Sequence, residues 1–112
     1  GASGLGLACV EQIVAKGGYA VIADMHEENG KAVEEKMGKS VAFVLCDVTK
    51  TEPVEKALDA AISRFGGIHG VINCAGVGYP KKVLSSRGTI HDMKTWDFVV
   101  RINLYGTFNV LR

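Results

Sequence analysis

Residues 1–24 read GASGLGLACVEQIVAKGGYAVIAD, and this stretch decides the fold. A glycine-rich turn, Gly1-Ala2-Ser3-Gly4-Leu5-Gly6, leads straight into a segment whose apolar residues Val10, Ile13 and Val14 fall on one helical face. Gly17 and Gly18 stop that helix, and residues 19–24 (YAVIAD) follow as an almost unbroken apolar run ending in an acid. A half-exposed strand alternates apolar and polar residues, whereas an unbroken run suits a strand covered on both faces, as in a parallel sheet. Turn, helix and strand in this order open an α/β domain with right-handed crossovers.

The pattern continues outward. Residues 41–47 (VAFVLCD) and 70–75 (GVINCA) repeat the apolar signature and predict a second and a third strand. Residues 27–37 predict an exposed helix with only Ala32, Val33 and Met37 to bury. Val54, Ala57, Leu58, Ala61, Ile62 and Phe65 keep helical spacing, with Pro53 in the first turn and Gly66-Gly67 at the end. Residues 77–91 have no period and predict a long loop, a kind of segment that often carries function. Asp92 then caps a helix in which Trp96, Val99, Val100, Asn103, Leu104, Thr107, Phe108 and Leu111 share a face. The expectation is a Rossmann-like, doubly wound parallel sheet forming one partial domain over residues 1–112. The strand leading into the glycine turn, central in such a sheet, is expected upstream of Gly1. The last helix reaches Arg112 without a stop signal, so the chain reads as an excerpt of a longer protein.

Bulk properties remove several classes of function. The 112 residues carry a formal charge of only +1, and the basic residues are scattered, so no stripe offers itself to a nucleic-acid backbone. Apolar runs of about six residues fall far short of the roughly 20 needed to cross a bilayer as a helix. Cys9, Cys46 and Cys74 form no C-x-x-C pair and are expected to be small buried thiols. His26, His69 and His91 lack metal-ligand spacing, so no metal is expected. Gly38-Lys39-Ser40 imitates the end of a P-loop, but Val33 stands where its first glycine belongs.

The remaining motifs admit two readings each. At the start of a helix, backbone N–H groups and the helix dipole can hold a pyrophosphate, and glycines allow close approach; the same turn can also exist without a ligand. The G-x-G-x-x-G fingerprint fails, because Cys9 follows Gly4 and Gly6 at its third position. Asp24 ends its strand about 20 residues beyond the turn, where a carboxylate binds a ribose, or it caps the next helix. Asn73-Cys74-Ala75-Gly76 ends the third apolar run, where parallel sheets bind ligands, or forms a tight structural turn. Asn103 sits on an apolar stripe and is structural or functional.

Together the glycine turn, Asp24, Asp47-Val48, Asn73-Cys74-Ala75-Gly76 and Asn103-Leu104-x-Gly106-Thr107-Phe108 resemble the short-chain dehydrogenase/reductase superfamily, and the similarity runs through the whole chain. It is similar above all to the subgroup of type II 3-hydroxyacyl-CoA dehydrogenases. The resemblance implies NAD as cofactor and a secondary alcohol as substrate, an acyl-CoA or a steroid. It also implies a mitochondrial parent, otherwise a cytoplasmic one, assembled as a homo-oligomer such as a tetramer. By resemblance Ser3, Gly4, Leu5 and Gly6 face the cofactor phosphates and ribose, and Asp24 takes the adenosine ribose hydroxyls. Asp47 and Val48 then flank the adenine, and Asn73, Cys74, Ala75 and Gly76 lie beside the cofactor. Asn103 matches the catalytic Asn, which organises a water linked to the active-site lysine. The family's Tyr-x-x-x-Lys pair is absent: four positions after Tyr19, Tyr79 and Tyr105 stand Ala23, Val83 and Asn109. The 112 residues alone are therefore expected to be inactive. A 3-oxoacyl thioester reductase and a non-catalytic nucleotide-binding scaffold are the alternatives.

Overall fold

The computed structural model describes all 112 residues. Helix α1 (Gly4–Ala15) leaves the glycine turn, strand β1 (Ala20–Asp24) follows, and α2 (Glu27–Met37) leads through a short 3-10 turn (Gly38–Ser40) into β2 (Val41–Leu45). Then come α3 (Thr51–Phe65), a long irregular segment, and α4 (Met93–Val100), which continues through a wide π turn (Arg101–Gly106) into α5 (Thr107–Leu111). The α2 helix carries the chain back over the sheet, so β1 and β2 pair in parallel, with Ala20 opposite Val41 and Asp24 opposite Leu45.

The unbroken apolar runs are explained by helices on both faces. Ala20 and Ile22 cluster with Val41, Ala2 and Val10 of α1, and Val33 and Met37 of α2 pack against them. Ile22 and Val41 are the most completely buried large side chains, at 1% and 0% exposure. Val21 and Ala23 point the other way and line a cavity together with Val54, Leu58 and Ala61 of α3. The outer edge of β2 is closed chemically: Glu34 Oε1 accepts from Phe43 N–H at 3.2 Å and from Arg64 Nη1 at 2.9 Å. A carboxylate on an edge amide blocks further strand pairing there.

Two expectations need correction. Residues 70–75 form no strand; they run exposed, and no backbone hydrogen bond outside helices and strands involves residues 67–76. A strand needs a neighbour, and here the space towards β1 is a cavity of about 540 Å³, bounded by Val21, Ala23, Val71 and Asn73. Ile72 is therefore 58% exposed despite its apolar surroundings in sequence. Cys74 is exposed for the same reason, whereas Cys46 is buried and Cys9 partly buried. The second correction concerns the last helix. Phe108 and Leu111, expected on the buried face, are 62% and 67% exposed, and Gly106 and Asn109 are buried instead. The stripe is equally exposed ahead of the π turn at Trp96 (56%) and within it at Leu104 (69%), so the turn does not cause the exposure; its extra residue sets the orientation of Gly106 and Asn109.

The radius of gyration, 16.4 Å, exceeds the roughly 13 Å expected for a compact chain of this length. The long segment and the α4–α5 arm account for the difference in shape, which extends 54 Å along its main axis.

Gly30 is buried in α2, and a methyl group there would overlap the Phe43 ring. Helix propensity alone favours alanine, but overpacking costs about 1–3 kcal/mol. Gly30→Ala is expected to lower the urea midpoint, and Phe43→Leu added to it to restore part of the loss. Equal midpoints for wild type and Gly30→Ala would refute the close packing.

Candidate nucleotide-binding site

The glycine turn presents donors without partners. Ser3 is extended, its hydroxyl makes no cap bond, and no acid sits in the first turn of α1. The first helical bond runs from Leu7 N–H to Ser3 O at 3.1 Å, so the N–H groups of Gly4, Leu5 and Gly6 stay open. Gly4 has φ +52°, which favours glycine, and Leu5 is 82% exposed. At Gly6 a Cβ would lie 2.8 Å from Gly1 Cα and 3.4 Å from Cys74 Cβ. The missing side chain thus lets residue 74 approach the turn.

Asp24 joins this turn to the end of β1. Its Oδ2 accepts from the Gly1 amine at 2.7 Å and from Ala2 N–H at 2.9 Å, while Oδ1 accepts from His26 N–H at 3.0 Å. Burial pushes the carboxyl pKa up, and the backbone N–H groups of Ala2 and His26 push it down. The acid braces the entry to α2 through His26 without capping the helix, and it stands beside the glycine turn.

At the end of β2, Asp47 Oδ1 accepts from Thr49 N–H and the Thr49 hydroxyl, at 2.9 and 2.7 Å, which fixes the corner carrying Val48. A Cβ at Gly106 would stand 2.5 Å from Val48 Cγ2, so glycine there admits Val48 to the π turn. Burial, then the adjacent Asp47 charge, push the Cys46 thiol pKa up, leaving it a poor nucleophile.

Asn103 forms a two-point clamp. Its Oδ1 accepts from Val77 N–H at 2.8 Å and its Nδ2 donates to Val77 O at 2.9 Å. A Cβ at Gly76 would be 3.5 Å from Asn103 Oδ1, so residues 76 and 77 lie directly on the amide. The structure thus brings Gly6, Cys74, Gly76 and Asn103 into one contiguous surface. Asn73 and Ala75 lie exposed on the same segment, and no hydrogen bond in the protein involves the Asn73 side chain. Asn103 is exposed and on the π turn, so the sequence placed it on the right helix but not in the right local geometry. π turns are frequent at functional sites, and no periodicity of apolar residues could have revealed this one.

The long segment is anchored at both ends rather than loose. Lys81 Nζ meets Asp92 Oδ2 at 3.3 Å, Leu84 and Ile90 form an antiparallel bridge, and Tyr79 packs edge-on against Phe98. Asp92 caps α4 as expected, accepting from Thr95 N–H at 2.8 Å. Thr95, through its N–H and its hydroxyl, holds the Asp92 carboxyl well below the usual range.

Comparison with known proteins adds the family. The short chain dehydrogenase family model matches residues 1–112. The chain is 40% identical over 113 residues to 3-hydroxyacyl-CoA dehydrogenase type-2 of Bos taurus, and 39% identical to that of Homo sapiens. Each alignment takes in 100% of this chain and 43% of the relative, so the chain spans less than half of their length. Among solved structures, 3-hydroxyacyl-CoA dehydrogenase type-2 from Mycobacterium avium superposes with a TM-score of 0.82 at 32% identity, over 99% of this chain and 43% of that one.

One outcome tests the geometry. Asn103→Leu deletes both bonds to Val77, so the Val77 amide should exchange with deuterium at least about tenfold faster. Unchanged exchange would show that the clamp does not hold in solution.

Proposed function

The chain belongs to the short-chain dehydrogenase family, and on that premise we propose that its parent protein is an NAD-dependent oxidoreductase that converts the secondary alcohol of a 3-hydroxyacyl-CoA to the ketone. The observation that carries this reading is the hydrogen bond from Ala2 N–H to Asp24 at 2.9 Å, which joins the acid to the glycine turn. It keeps a carboxylate on the same turn whose N–H groups at residues 4–6 have no partner in the chain.

These groups fit the chemistry of a dinucleotide. The open amides of Gly4, Leu5 and Gly6 donate to phosphate oxygens, and the Ser3 hydroxyl has no competing cap bond. Asp24 accepts from ribose hydroxyls, and its charge opposes a 2'-phosphate, which favours NAD over NADP. Val48 and Asp47 border the adenine, while Asn73, Cys74, Ala75 and Gly76 border the nicotinamide half. NAD supplies the hydride acceptor when bound. The chain's part is to hold it, and Asn103, seated on Val77, organises the water that serves proton transfer. The acyl-CoA substrate follows from the chain's similarity, along its whole length, to 3-hydroxyacyl-CoA dehydrogenases.

The test is made with the full-length protein that carries this segment. NADH formation at 340 nm is expected with NAD and 3-hydroxyacyl-CoA, and Asp24→Ala should raise the KM for NAD at least about tenfold, the size of a charge-assisted hydrogen bond. Preference for NADP, or turnover of other alcohols only, would overturn the cofactor or the substrate assignment respectively. No reduction of NAD with any secondary alcohol would leave the scaffold alternative.

A further inference from the structure

Asn109 is the buried polar side chain of this protein, 5% exposed, and it lies outside every motif considered above. Burying an amide is unfavourable unless its hydrogen bonds are made. Here the Nδ2 donates to Val48 O at 2.9 Å, and Oδ1 accepts from Arg112 Nε at 3.1 Å and from the Thr51 hydroxyl at 3.4 Å. Arg112 Nη2 also donates to the Thr51 hydroxyl at 3.0 Å, closing the cluster. The helix therefore grips Val48 twice, by its side chain at Gly106 and by its carbonyl at Asn109.

The same continuous helix carries Asn103, whose amide grips the Val77 backbone. One helix thus fastens two chain corners, one after β2 and one after residues 70–76. The π turn lies between the clamps and sets their relative rotation. With an ordinary α turn, residue 109 would be rotated by about 100° and could not reach Val48.

Resting on the NAD reading above, we propose that Asn109 is a positioning residue for the adenine end of the cofactor. It fixes the Val48 wall relative to the helix that carries Asn103, so the spacing between the two ends of the site is set before ligand arrives. It touches no reacting atom, and its effect is on cofactor affinity rather than turnover.

The experiment uses the full-length protein with Asn109→Leu, which removes the amide at similar volume, and Asn109→Asp, which keeps an acceptor for Arg112 and Thr51 but has no donor for the Val48 carbonyl. Both should raise the KM for NAD and weaken ADP-ribose binding about tenfold, with kcat and the KM for the alcohol unchanged. Deuterium exchange at residues 48–51 should rise in both variants. Normal affinity for ADP-ribose in folded variants overturns the proposal, as does a fall in kcat that matches the rise in KM. If wild type itself binds no ADP-ribose, the NAD reading fails and the adenine role falls with it. In that case the exchange data still decide whether Asn109 holds the Val48 corner, and unchanged exchange at residues 48–51 refutes the clamp itself.

Discussion

The parallel pairing of β1 with β2 is the constraint on which the rest depends. Parallel strands finish on the same side, so Asp24 and Asp47, more than twenty residues apart in sequence, are delivered to one edge of the domain. An antiparallel pair would put them at opposite ends. The same constraint demands a crossover helix, and α2 supplies it with a polar outer face and an inner face narrow enough for Gly30 to meet Phe43. Glu34, on that helix, then closes the outer edge, so the register of two strands fixes both the site and the limit of the sheet.

A second set of interactions holds the remote helix to this edge. The α4–α5 arm contributes little apolar burial, and Trp96, Phe98, Leu104 and Phe108 remain about half exposed or more. Its position rests instead on polar fasteners, Asn103 on Val77 and Asn109 on Val48, with Gly106 admitting Val48 between them. Hydrogen bonds of this kind add little net energy each but are directional, whereas apolar burial is not. An arm held this way gains precision of placement at the Val48 and Val77 corners more than stability.

The sequence disclosed the elements that are fixed locally. The α2 and α3 helices, the long segment and the Asp92 cap follow from period, glycine stops and capping chemistry, all of which act within a few residues. The parallel pair was also legible, because a strand buried on both faces must be apolar throughout. What could not be read is non-local. Residues 70–75 have the composition of a strand, but pairing depends on a neighbour that the composition does not describe. The π turn was hidden because the apolar stripe through Phe108 and Leu111 fits a regular helix well; the exception comes from Gly106 and Asn109 meeting Val48, a contact across about sixty residues of sequence. Within the site, Asp24 and Asn103 stood out as polar residues in unusual places, whereas Asn109 looked like any amide near a helix end.

These differences divide the site into two mechanical halves. The half at Asp24, Asp47 and Val48 is braced by the sheet, by Thr49 and by Asn109, so its groups are placed before any ligand arrives. The half at residues 73–76 borders the cavity beside β1 and is tied to the rest through Val77 and its contact with Gly6. Local stability follows the density of buried contacts and satisfied backbone bonds, and residues 67–76 have few of either. Under the NAD reading proposed above, the adenosine half of the ligand meets groups already held in place by Thr49 and Asn109, so binding energy gained there is not spent on ordering them.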